Sequence, residues 1–185
     1  MNRSLVRGSL AQVARQSGFS LAETWINVEA VILVDISGSM NCEDAPGGKS
    51  RYAVACAELA SLQASLPGRL AIIAFAQETC FAPSGSLPGT RGTTNLAGAL
   101  KFARAADAIP GMRFILISDG EPDHEESALA EARLYRNRID TLYVGPAGGP
   151  GQLFLQKLAA LKQGQALLKP QLSGLASGLA GLLSG

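Results

Sequence analysis

Strand-length apolar runs alternate with stretches of helical periodicity along most of this chain, and that alternation admits few folds. Val28–Asp35 (VEAVILVD), Leu70–Ala76 (LAIIAFA) and Arg113–Ser118 (RFILIS) are nearly continuous apolar runs, as strands buried on both faces are. Ile139–Val144 reads as a fourth strand and Gln165–Lys169 as a last, short one. Between them, Lys49–Leu66 repeats Tyr52, Cys56, Leu59 and Leu62 at three- or four-residue steps, the spacing of one helix face. Asn95–Ala108, Glu125–Asn137, Gln152–Gln163 and Leu172–Leu183 are the other expected helices. Thr79–Ala82 follows the second strand after only Gln77-Glu78, too short a link for a parallel crossover, so it is expected to pair antiparallel at an edge. The expectation is an α/β fold: a Rossmann-like, doubly wound, mostly parallel sheet with one antiparallel edge strand and helices on both faces.

Residues 1–20 stand apart as an N-terminal arm. Leu5, Val6, Leu10 and Val13 fall near helical spacing, and Ser20 with Glu23 has the pattern of a capping box. Residues 21–185 are expected to form the domain itself. The whole chain of 185 residues is long enough for one substantial core. Sixteen basic and fifteen acidic side chains nearly cancel, which gives no basis for nucleic-acid binding. No stretch approaches the roughly 18–20 apolar residues of a membrane span, and the first residues lack the apolar run of a signal peptide. Cys42, Cys56 and Cys80 are odd in number and have no metal-ligand spacing, so free thiols and a cytoplasmic location are expected.

In a parallel sheet, ligands sit at the carboxyl ends of the strands, where the strand order reverses. Three loops expected at that edge carry oxygen ligands: Asp35-Ile36-Ser37-Gly38-Ser39, Gly92-Thr93-Thr94-Asn95 and Asp119-Gly120. Two carboxylates and several hydroxyls suit a hard cation, which takes oxygen ligands and, for Mg²⁺, about six of them. Hydroxyls bring no charge. A site with few carboxylates therefore leaves the ion under-neutralised and able to attract a carboxylate from outside.

DISGSM at 35–40, GTTNLAGAL at 92–100 and LISDGE at 116–121 resemble the three loops of the metal-ion-dependent adhesion site of von Willebrand factor A domains, over about residues 28–183. The resemblance implies Asp35, Ser37, Ser39, Thr94 and Asp119 as the metal set, with Thr93 competing with Thr94. It implies Mg²⁺, with Mn²⁺ or Ca²⁺ as alternatives, and recognition of an Asp or Glu on a partner protein. Met40, Gly92, Thr93, Gly120 and Glu121 are expected to meet that partner. By the same analogy the module works beside an AAA+ ATPase or in another multi-protein complex, without catalysis of its own.

Other features compete less well. Gly47-Gly48-Lys49-Ser50 lacks the first glycine of a phosphate-binding loop, since Glu43 stands there. Gly145–Gly151 (GPAGGPG) loses two amide donors to Pro146 and Pro150. A metal-assisted phosphohydrolase is the alternative reading, with Glu121 and His124 as candidate bases. Self-association through the helical ends is a third.

Overall fold

The computed structural model describes residues 5–168 apart from Pro46. The expected helix at Leu172–Leu183 lies outside the described residues. Six strands form one sheet: β1 (Ala30–Asp35), β2 (Leu70–Phe75), β3 (Thr79–Phe81), β4 (Arg113–Ser118), β5 (Ile139–Tyr143) and β6 (Ala166–Leu168). Their spatial order is β3-β2-β1-β4-β5-β6. All neighbouring pairs are parallel except β2 with β3. The expected α/β fold is therefore observed, antiparallel edge strand included.

Alternate residues of the buried strands serve two cores, because successive side chains point to opposite faces. Val31, Leu33, Ile73, Phe114 and Leu116 pack with α4 (Leu96–Ala103), α5 (Glu125–Arg133) and α6 (Pro150–Ala160). Ile32, Val34, Ile72, Ile115 and Ile117 pack with Ala55, Leu59 and Leu62 of α3 (Arg51–Ser65). α3 and α4 start at residue types that favour the capping position. Ser50 accepts from the Ala53 amide at 3.1 Å, and Asn95 from the Gly98 amide at 2.9 Å.

The N-terminal segment is part of this packing. Leu5 and Val6 precede a turn, and α1 (Leu10–Ser17) begins only after it. Gly8 makes the turn at φ +80°, so close to α3 that a Cβ would lie 1.8 Å from the Gln63 carbonyl oxygen. Leu10 and Ala14 are buried. The short α2 (Leu21–Trp25) opens with the capping box read from Ser20 and Glu23. Its Trp25 ring meets Phe81 of β3 edge-on.

Two helices are shorter than their periodicity suggests. The helical pattern of 95–108 tightens into a 3₁₀ turn over Arg104–Ala108. The helix expected to reach Asn137 stops at Arg133 because Asp107 takes the backbone amides of Arg136 (2.7 Å) and Asn137 (2.9 Å). A buried carboxylate thereby competes with the helix for the same donors.

Candidate metal centre

The sheet order reverses at β1. From there the chain runs outward through β2 and β3, then returns to the other side of β1 with β4. The crevice between the carboxyl ends of β1 and β4 is the position such sheets offer a ligand. Asp35 ends β1, and Ser118 ends β4 with Asp119 just beyond.

Asp35 is fully buried. Its Oδ1 accepts from the Ser37 amide at 2.8 Å and its Oδ2 from the Ser118 hydroxyl at 2.7 Å. Burial pushes its pKa up to about 6, against the pull of the serine donors and with a further push from Asp119. Ser37 and Ser39 bring their hydroxyls to 3.1 Å of each other. That spacing lets both address one point, as alternate residues of the loop should.

Asp119 is also fully buried. Its Oδ2 accepts from Arg51 Nη1 at 2.8 Å, while its Oδ1 is buried without a hydrogen-bond partner among the described residues. Arg51 turns its other nitrogens to Asp44, with Nε–Oδ1 at 2.9 Å and Nη2–Oδ2 at 2.6 Å. Asp44 first, and Asp119 with it, hold the guanidinium still more firmly in its charged form than usual.

Backbone bonds stitch the three loops together. Arg91 N donates to Ile36 O, and Gly38 N to Gly92 O. Thr94 and Asp123 form a reciprocal clasp: the Thr94 amide donates to Asp123 Oδ1 at 3.0 Å, and the Asp123 amide to Thr94 O at 3.0 Å. Thr94 is buried within this clasp, whereas Thr93 is exposed. The Asp119-Gly120 turn is pressed against the start of α6. Gly120 has φ +75°, and a Cβ on it would meet the Gly151 carbonyl oxygen at 2.2 Å.

The donor set suits a hard divalent cation. No cluster of three or more His, Cys, Asp or Glu side chains converges among the described residues. The residues present would offer a cation two carboxylates and neutral hydroxyls, a set that fits Mg²⁺ or Mn²⁺ chemistry better than a thiolate or imidazole metal. Asp119 Oδ1, buried without a hydrogen-bond partner, and the desolvated Asp35 carboxylate are oxygens of the kind a hard cation takes.

Two expected partner contacts need correction. Met40 is fully buried, packed in the apolar layer beneath the loop, where it anchors the 3₁₀ turn Gly38–Asn41. Gly120 is buried against Gly151. Gly92, Thr93 and Glu121 are exposed. His124 is also exposed and lines a cavity of about 300 Å³ beside Thr94, with Gln77, Asn95 and Asp123. Sequence reasoning missed Ser118 and Arg51 as members of the site. Ser118 was visible in the SDG run; Arg51 carried no local signal.

No protein-family model and no curated relative matches the sequence. Solved structures do. An aerotolerance-related membrane protein from Bacteroides fragilis aligns with TM-score 0.68 and 18% identity, over 85% of this chain and 98% of that one. A von Willebrand factor type A structure from Catenulispora acidiphila gives 0.62 and 19%, over 84% of this chain and 41% of that one. This chain has the von Willebrand factor A fold. A third structure aligned to it, manganese-loaded TRAP from Plasmodium vivax, gives 0.53 and 22%, over 72% of this chain and 63% of that one. In this von Willebrand factor A fold, Asp35, Ser37, Ser39, Thr94 and Asp119 lie in or against three loops gathered at one sheet edge.

Proposed function

We propose that the chain is a metal-dependent protein-interaction module. Asp35, Ser37 and Ser39 would hold a divalent cation, Mg²⁺ or Mn²⁺ before Ca²⁺, with Thr94 and Asp119 completing the site. The observation that carries this reading is the pair of buried carboxylates, one with an oxygen that has no partner. The manganese in TRAP, which shares the fold, supports it. Thr94 is preferred to Thr93 because it is buried and clamped.

When bound, the ion supplies a positive centre that can accept one carboxylate of a partner protein. The chain's own residues do the rest. Ser118 and the Ser37 amide orient Asp35, and Arg51 holds one oxygen of Asp119. Such a module binds and does not turn over substrate. On this proposal it works in the cytoplasm, within an AAA+ ATPase complex or another multi-protein complex.

Isothermal titration of chelator-treated protein with Mg²⁺ and Mn²⁺ tests the site. One ion per chain is expected, with binding abolished in Asp35→Ala while its circular dichroism is unchanged. Equal binding by the variant removes the proposed site. Capture of a protein in Mg²⁺ but not in EDTA tests the partner half. Turnover of a phosphate ester that is lost in His124→Ala would replace this reading with the hydrolase.

A further inference from the structure

The near-zero net charge of the chain conceals a strong internal separation. Among the described residues, nine acidic side chains but only three basic ones lie on the loops and helix starts at the metal edge. Two of the acids, Asp35 and Asp119, and one base, Arg51, are buried. The exposed remainder forms a rim. Glu43 and Asp44 stand in the loop after β1, Glu78 in the β2–β3 turn, and Glu121, Asp123, Glu125 and Glu126 around the start of α5. Among the described residues Lys49, Arg91 and, from within α6, Lys157 oppose them there; Arg91 lies 3.9 Å from Glu78 and Lys157 3.7 Å from Glu126. The opposite edge carries Arg69, Arg113, Arg136 and Arg138, of which Arg69 pairs with Glu29 and Arg113 and Arg138 with Asp140.

Helix dipoles account for part of the rim, since Glu125 and Glu126 occupy the first turn of α5. Asp44 is held by Arg51. Glu43, Glu78 and Glu121 sit outside any helix and are exposed.

Resting on the metal reading above, we infer that the rim selects a partner segment in which a single Asp or Glu is set among Lys and Arg. Two buried carboxylates, one guanidinium and a divalent ion leave one positive charge at the centre of an acidic ring. A carboxylate arriving alone, or among other acids, is repelled by the ring before it reaches the centre. Basic neighbours reverse that sign, steer the segment inward and meet the rim carboxylates once it docks. An Asp or Glu in a neutral or acidic stretch is discriminated against by like-charge repulsion, a form of specificity by exclusion.

The test uses the Mg²⁺-loaded full chain and dye-labelled peptides with one central Glu, flanked by Lys/Arg, by Ser/Gln or by Asp. The basic frame should bind best by fluorescence anisotropy, with about a tenfold preference over the neutral one at low salt, as several weak exposed ion pairs together provide. The preference should shrink at high salt. It should also shrink in the Glu43→Gln/Glu78→Gln/Glu125→Gln variant, whose Mg²⁺ affinity by calorimetry stays close to the parent's. Changing the central Glu to Gln should abolish binding. Equal affinity across the three frames, no binding of the basic frame, or a preference that survives the triple variant would overturn the inference. Mg²⁺ titration without peptide reads the site separately. Its failure would sink the metal reading, whereas intact Mg²⁺ binding with indifferent peptides sinks only the rim.

Discussion

Asp35 shows what burial does to a carboxylate. Its pKa rises from 3.8 to about 6 because burial disfavours the charged form. The folded protein therefore binds this proton more tightly than the unfolded chain does. In metal-free protein, the Asp35 contribution to stability is greatest below the unfolded pKa. It declines as pH rises from about 4 to about 6, by about 3 kcal/mol in all. Urea unfolding of metal-free protein at pH 5 and pH 7.5 should show Asp35→Asn flattening that slope. A slope identical in the variant would show that Asp35 titrates normally. Arg51 has the opposite problem, being a buried cation with two acidic partners. Arg51→Met should destabilise the metal-free fold by about 3–5 kcal/mol, because it strands Asp119 as an unpaired buried charge. Added Mg²⁺ should restore more stability to this variant than to the parent, and equal recovery in a thermal melt would count against the shared site. Neither contact could be read locally. Arg51 meets Asp119 across 68 residues, and Ser118 meets Asp35 across 83.

At the scale of elements, the loops matter through what they rest on. The turn after β4 fits only because Gly120 and Gly151 lack side chains where they cross. Gly120→Ala adds both a positive-φ strain and a 2.2 Å clash with backbone. It should cost about 1–3 kcal/mol and weaken Mg²⁺ binding more than a distant cap substitution, such as Ser20→Ala at the start of α2. Denaturation and Mg²⁺ titration of the two variants side by side check this. Strands and helices were legible because their periods of two and 3.6 residues are local properties. The end of α5 was not, since Asp107, nearly 30 residues earlier, captures the amides that would have continued it. The burial of Met40 escaped notice for the same kind of reason. A methionine after DISGS looks like loop, and only the packing of α3 beneath it makes it core.

For the whole molecule, the first described residues are built into the fold. Val6 donates to Ser84 O and Ala11 to Pro83 O, and Gly68 donates to Gly8 O, which ties α1 to the segments around it. Leu10→Ala should therefore cost about 2–4 kcal/mol. A thermal melt unchanged by Leu10→Ala would mean that α1 is peripheral.

The sequence by itself determined the alternation of strands and helices, and with it the gathering of three oxygen-rich loops at one edge. Parallel strands all end on the same side, so residues that follow them must meet there. Tertiary structure alone decided how each donor is held: Ser118 on Asp35, Arg51 on Asp119, Asp123 on Thr94, and Met40 turned inward. Those pairings join segments that are remote in the chain, and proximity of that kind arises only when the sheet has packed against its helices.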